Sequence, residues 1–235
     1  MGGPLTGLLA REFFAGPSLR VAPRLLGCVL EHETAEGLVA VQLTEVEAYE
    51  GSADPASHSY RGRTARNGVM YGPPGHAYVY FTYGMHFCVN VVCLPEGTAS
   101  AVLLRAGRII EGASLAAARR LAGRPGSRVP DRDLARGPAR LCLALGIDQA
   151  QDGADVCDPA SPLRVRPGPP GPPPPGPPRP RVTRGPRVGV SRAADRPWRF
   201  WLTGDPTVSV YRPHVPRTRP EPVSPPAAEG GTMGR

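Results

Sequence analysis

Apolar and polar residues alternate along much of the chain, and this period of two is typical of half-buried β-strands. The alternation predicts two successive strands, a hairpin and a fifth strand, at 28–34, 37–51, 76–84, 85–97 and 100–110. Shorter alternating runs predict that strands resume later in the chain, at 163–167, 187–191, 199–204 and 207–212. The turn of the hairpin falls at or near Tyr83-Gly84. Strands therefore dominate the predicted fold.

Helical periodicity is confined to a few short runs. Ser18 has the side chain of an N-cap, for a helix that ends at Gly27. A second helix is predicted over 115–121 and a third over 137–146, where a Gly-Pro pair suits the start and a glycine the end. Because these helices do not alternate regularly with the strands, we predict an α+β fold around a curved antiparallel β-sheet.

Two segments rich in Pro, Gly or Arg interrupt the pattern. Residues 54–75 predict a long loop, and loops of this length inside a compact domain are usually functional. In 167–180, ten of fourteen residues are proline, which excludes helix and ladder and predicts an unstructured insertion in a surface loop. We predict one folded domain over 9–211, with unstructured ends at 1–8 and 212–235.

The chain carries a formal net charge of +8, and every one of its basic Lys/Arg side chains is arginine. A positive field favours a polyanionic partner, because phosphate neutralisation supplies most non-specific affinity for nucleic acid. Biased codon usage is an equally good explanation for the lack of lysine, but it does not remove the field.

Five cysteines without CxxC spacing argue against a disulfide framework and against a structural zinc site. They predict small apolar side chains in a reducing compartment. No apolar run is long enough for a membrane span, and the first residues do not have the order of a secretory signal. We expect a cytoplasmic protein, associated with the nucleoid if it is bacterial, with no membrane contact.

Candidate chemistry is concentrated between Thr44 and Arg105. Glu45, Glu47 and Tyr49 lie at a spacing of two, so on a strand they share one face. One carboxylate on an aromatic-lined face could act as a general base with a raised pKa, but pattern alone favours an exposed edge strand whose acids pair with arginines. A metal cluster that adds Asp54 and His58 is a third reading, although its spacing matches no standard ligand motif.

Tyrosines are unusually dense in the same region. Tyr78 and Tyr80 alternate on one strand, where tyrosines are usually half-buried with a satisfied hydroxyl. Tyr83 and Met85 flank Gly84 at the hairpin tip, and an exposed apolar tip is a liability unless it inserts into a partner. A wedge between base pairs of DNA is one such destination.

Several of these segments together resemble the alkyladenine (3-methyladenine) DNA glycosylase family. The likeness rests on TEVEAYEG, the pair His58-Ser59, RTARNGVMYGPPGHAYVYFTYGMHFCVNVV, VLLRA and RGPARLCLALGI. It runs from about Leu9 to Val210 and breaks only at the proline-rich insertion. The resemblance implies a single mixed α/β domain, in which a β-hairpin protrudes from a curved antiparallel sheet.

The resemblance also implies roles for individual residues. Glu47 would be the general base that activates a water, and Arg105 would hold that water near the target phosphate. A damaged base would stack between Tyr49 on one side and His58 with Tyr80 on the other. Asn90 would be the asparagine that disfavours the guanine 2-amino group. Tyr83 and Met85 would be the side chains that intercalate into the duplex.

The implied enzyme excises alkylated or deaminated purines from double-stranded DNA, with no cofactor and no metal. An alkylated purine is a good leaving group, so stacking, a dry pocket and an activated water suffice. Without lysine, a lysine Schiff base and lyase chemistry are excluded, which implies a monofunctional hydrolase. We expect a monomer. A non-catalytic damaged-DNA-binding module and a metal nuclease are the alternatives from other classes.

Overall fold

The computed structural model of this protein describes residues 7–82, 84–123, 126–168 and 181–215. In this part of the chain there are eight β-strands: β1 Val29–Thr34, β2 Gly37–Tyr49, β3 Ala77–Thr82, β4 His86–Cys93, β5 Ser100–Glu111, β6 Leu163–Arg166, β7 Val182–Gly185 and β8 Arg199–Leu202. Three α-helices accompany them: α1 Ser18–Leu25, α2 Ala113–Leu121 and α3 Pro138–Leu145. Short 3-10 turns occupy several connections.

All strand pairs in the sheet are antiparallel, in the order β3-β4-β5-β2-β1-β6. The sheet curls into a half-barrel, and the helices surround it in one mixed domain, so the predicted α+β fold is confirmed. Strands β3 and β4 form the predicted hairpin. The apolar residues of α1, α2 and α3 join those of the sheet in one core.

Strand β2 is the centre of the sheet, because it pairs with three neighbours. It follows β5 along most of its length, while its other edge pairs first with β1 over 37–42 and then with β8 over 45–47. The register with β5 shifts on both sides of Glu45, which marks a β-bulge. Bulges re-aim side chains and often lie beside functional sites. The acidic pair therefore sits where β2 changes partner.

Two predicted strands are absent, and their residues do other work. Segments 187–191 and 207–212 alternate like strands, yet neither is paired in the sheet. The backbone N–H groups of Val188 and Ser209 donate instead to the carboxylates of Glu47 and Glu45. A buried N–H needs a partner, but the partner here is a side chain rather than a ladder.

The helix predictions hold with one correction. Ser18 is the first residue of α1, not its N-cap, which is Pro17. Its hydroxyl donates to Glu50 Oε1 at 2.7 Å and so ties α1 to the end of β2. Gly146 ends α3 in the left-handed conformation, at φ 71°, as its position predicts.

Most of the predicted unstructured regions lie outside the described residues. This applies to 1–6, 169–180 and 216–235. Tyr83, predicted at the tip of the hairpin, also lies outside the described residues. The domain limits at 9 and 211 stay predictions. No helix in the described ranges is long and apolar enough to cross a bilayer.

Candidate active site

A cavity of about 600 Å³ lies between strands β2 to β5, the loop at 55–61, the start of α3 and the segment 188–192. Five of the residues singled out from the sequence line it together: Tyr49, His58, Tyr80, Asn90 and Arg105. They come from four different strands and the long loop, so the fold gathers residues that are 56 positions apart (49 to 105).

Glu47 lies immediately behind this lining rather than on it. Its side chain is fully buried, and its three described contacts are all cavity residues. Oε1 accepts the N–H of Val188 at 2.7 Å and lies 3.2 Å from Arg105 Nη1. Oε2 accepts the hydroxyl of Tyr49 at 2.8 Å. The prediction of an exposed acidic edge is therefore wrong for Glu47.

Glu45 is equally buried but faces a different set of partners. Its Oε1 accepts Arg105 Nε at 2.7 Å and Arg199 Nε at 2.8 Å, and Ser209 donates to both of its oxygens. Burial alone would raise the pKa of Glu45, but the two guanidinium charges outweigh burial and hold this pKa below its ordinary value. Glu45 is thus kept as an anion, and the raised pKa expected of a general base does not occur there.

Asp54 and Arg187 form a second buried ion pair beside the cavity. Both side chains are fully buried, and the guanidinium binds both carboxylate oxygens, with Nη2 at 2.8 Å from Oδ1. The same guanidinium lies between two rings, 4.6 Å from Tyr49 and 5.0 Å from Trp198. Arg187 therefore packs against the back of Tyr49 and directly precedes Val188, which contacts Glu47.

An aromatic wall, formed by His58, Tyr78 and Tyr80, closes another side of the cavity. The rings of Tyr78 and Tyr80 stack at 5.6 Å, and His58 meets Tyr80 edge-on at 4.5 Å. The His58 Nδ1 atom lies 3.0 Å from the hydroxyl of Tyr78. Asn67 holds the loop in place by donating to the carbonyl of His58 at 3.0 Å.

This wall is neutral around pH 7. Burial lowers the pKa of His58, raises that of Tyr78 to about 12 and raises that of Tyr80 well above its ordinary value. Cys88 lines the cavity next to Tyr80, and burial raises the pKa of its thiol as well. The wall thus offers faces for stacking and no formal charge.

Asn90 and Met85 occupy the positions that the sequence suggests. Asn90 is 5% exposed, lines the cavity and donates from Nδ2 to the carbonyl of Tyr78 at 3.1 Å. Met85 is 67% exposed at the tip of the hairpin, and Phe81 nearby is 44% exposed. Tyr83, between them, lies outside the described residues. The tip thus carries apolar surface at the end of the β3–β4 hairpin, whose strands contribute Tyr80 and Asn90 to the cavity.

The metal-cluster reading has no site in the described ranges, where no group of three His, Cys, Asp or Glu side chains could hold an ion. Asp54 is taken by Arg187, and Glu45 by Arg105 and Arg199.

Sequence reasoning missed four residues that shape the site: Arg187, Val188, Arg199 and Ser209. All lie more than 130 positions from the acid that each one contacts. The usable signal was small: the segment Arg187 to Ser191 alternates like a strand, yet has a glycine at its centre.

Comparison with known proteins identifies the family of this chain. A family model for methylpurine-DNA glycosylase matches residues 12–206. A protein of Streptomyces avermitilis is 59% identical over 213 residues, which are 90% of this chain and 95% of that protein. Relatives from Leifsonia xyli subsp. xyli (56% over 208 residues, 87% and 92% covered) and Mycobacterium tuberculosis (50% over 208, 86% and 93%) are similar. All three are named "Putative 3-methyladenine DNA glycosylase". The chain therefore belongs to the methylpurine-DNA glycosylase family and is a DNA glycosylase.

Proposed function

We propose that this protein is a monofunctional glycosylase that flips damaged purines out of duplex DNA and releases them by hydrolysis. Its substrates are 3-methyladenine and, by the same pocket chemistry, 7-methylguanine, hypoxanthine and ethenoadenine. The observation that carries the proposal is the position of Glu47. Its carboxylate is buried, and its three described side-chain contacts are all with residues that line the cavity. The relatives' shared name supports the first of these substrates.

In the proposed reaction, a water oxygen bonds to C1′ of the flipped nucleotide as the N-glycosidic bond breaks. The bonding electron pair leaves with the base, and the proton of the water passes to Glu47. A cationic base such as 3-methyladenine thereby leaves as a neutral molecule, whereas hypoxanthine and ethenoadenine also take up a proton from solvent. Oε2 of Glu47 accepts one hydrogen bond from the described residues, that of Tyr49, so it retains an acceptor site for this proton. Arg105 lines the cavity and reaches Glu47, so it can hold the water and the target phosphate.

The flipped base would stack between Tyr49 and the aromatic wall, with Asn90 at its edge. Tyr49 presents only one free face, because Arg187 covers the other. Tyr83 and Met85 would fill the gap left in the duplex. A chain without lysine has no side-chain amine for a Schiff base, so the product would be an intact abasic site.

The decisive variant is Glu47→Gln, which keeps the size of the side chain and loses its basicity. We expect single-turnover release of 3-methyladenine from a duplex to fall about 10²–10⁴-fold, because a general base contributes that much. Affinity for the same duplex should persist, as measured by fluorescence anisotropy. The assays contain chelator, and abasic sites are scored before and after alkali.

Undiminished release by the variant would exclude Glu47 as the base. Strand breaks before alkali would exclude the monofunctional assignment. If the unaltered protein binds lesion-bearing duplexes specifically but releases none of the four bases, it is a damage-binding module instead.

A further inference from the structure

Glu45 is bound more completely than the catalytic candidate beside it. Oε1 accepts three donors, from Arg105 Nε, Arg199 Nε and the Ser209 hydroxyl, at 2.7 to 2.8 Å. Oε2 accepts the Ser209 N–H at 2.6 Å. Glu45 is fully buried and does not line the cavity. Four donors from three separate segments therefore fix a carboxylate that substrate cannot touch.

The same contacts fix the plane of Arg105. Its Nε is held by Glu45 at 2.7 Å, and its Nη2 donates to the Ser209 hydroxyl at 3.4 Å. The third nitrogen, Nη1, is the one that faces Glu47, at 3.2 Å. Because the shorter charged hydrogen bond goes to Glu45, the stronger partner of Arg105 is the acid away from the cavity.

The four charged groups also alternate in sign along the network, in the order Glu47, Arg105, Glu45 and Arg199. Their formal charges sum to zero. Without Glu45 the sum would be +1, and both guanidinium charges would act on Glu47 with little screening in a buried site. A carboxylate under that field holds a proton less readily and is a weaker base.

We propose that Glu45, clamped by Arg199 and Ser209, is a positioning residue that orients Arg105 and balances its charge, so that Glu47 remains free to accept a proton. The inference rests on the proposed function, because it assigns the base to Glu47. It gives separate roles to two acids that lie two positions apart on β2: one for chemistry and one for geometry and charge. Ser209 lies beyond residue 206, where the family match ends.

The experiment compares Glu45→Gln with Glu31→Gln. Glu31 is a matched control: it is 5% exposed, lies on the same sheet and binds two arginines, Arg164 and Arg166, at 2.8 and 2.7 Å. It does not line the cavity. Single-turnover release is followed at pH 7 and saturating protein on a duplex with one 7-methylguanine, because this cationic base leaves without needing a proton.

We expect Glu45→Gln to lower the plateau rate about 10- to 100-fold, the usual effect of a misplaced catalytic group. Glu31→Gln should leave the rate per folded molecule unchanged. Affinity for the duplex should be the same in both variants.

Ser209→Ala separates orientation from charge. It removes the hydroxyl that donates to Glu45 and accepts from Arg105, and it keeps the N–H and every charge. Two hydrogen bonds are lost, so the plateau should fall several-fold, less than in Glu45→Gln. This small variant keeps the inference testable if Glu45→Gln does not fold.

If Glu45→Gln retains the rate of Glu31→Gln, or if Ser209→Ala has the full rate, Glu45 has no positioning role. If the unaltered protein releases no base, the proposed function itself is wrong, and this inference with it.

Discussion

The two walls of the cavity are held by different forces. The charged wall is formed by Arg105 and Tyr49, with Glu47 directly behind them, and it is fixed by ion pairs away from the cavity. The aromatic wall is fixed by ring packing, and burial shifts the pKa of each ring toward the neutral form. A reacting group gains from fixed charges aimed at it. A stacking surface has to accept flat ligands of varied charge, and neutral rings do so.

The largest expected effect concerns the sealed ion pair behind the charged wall. Arg187→Gln leaves Asp54 buried without its partner, which typically costs about 3–5 kcal/mol of unfolding free energy. Denaturant unfolding followed by circular dichroism measures this loss. The double variant with Asp54→Asn should recover part of it, because no charge is then buried alone.

Arg196→Gln is the matched control for that prediction. Arg196 packs on the same Trp198 ring at 4.5 Å, but it is only half-buried and its hydrogen bond to the carbonyl of Ala53 is exposed. A cation–π contact there is worth about 0.5–1 kcal/mol. Equal losses in the two variants would mean that the sealed pair does not support the charged wall.

The next effect concerns stacking on the aromatic wall. Tyr80→Leu removes the ring, and base–aromatic stacking is worth about 1–3 kcal/mol per base. We expect kcat/KM for a lesion-bearing duplex to fall roughly 5- to 150-fold at that cost. Tyr80→Phe keeps the ring and should retain most of the activity. If both variants lose the same amount, the hydroxyl beside Cys88 matters and stacking does not.

The smallest effect is the titration of His58. Burial lowers its pKa, so the ring should titrate below the ordinary value of about 6.5 in histidine NMR spectra. The unfolded chain then binds more protons just below that pH, so acidification lowers the stability of the fold. Titration above 6.5 would contradict a neutral aromatic wall.

Much of the fold follows from sequence because its signals are local. Alternation locates β1 to β5, and the Gly-Pro start with Gly146 at the end locates α3. The segments at 187–191 and 207–212 have the same alternation and are not strands. One N–H group of each segment, that of Val188 or Ser209, donates to Glu47 or Glu45, which lie 141 and 164 positions away. A pattern of period two records which residues are buried, not what their backbones bind.

The candidate site was also predicted only in part from the sequence. Family resemblance singles out the residues that face the cavity, and the fold brings Tyr49, His58, Tyr80, Asn90 and Arg105 together there. Their roles stay predictions. The sequence did not predict the roles of Arg187, Arg199 and Ser209, because nothing in the sequence marks an arginine or a serine as buried. The β-bulge beside Glu45 was equally invisible, since it arises only when β2 pairs with β5.

The two hydrogen bonds from Val188 and Ser209 determine when the site can form during synthesis of the chain. During synthesis, Glu47 and Glu45 leave the ribosome long before the residues that hold them. Before position 188 is made, only Tyr49 and Arg105 are available to these acids, and until position 209 is made Glu45 lacks both donors of Ser209. The charge network behind the cavity is therefore completed only once the chain has reached residue 209.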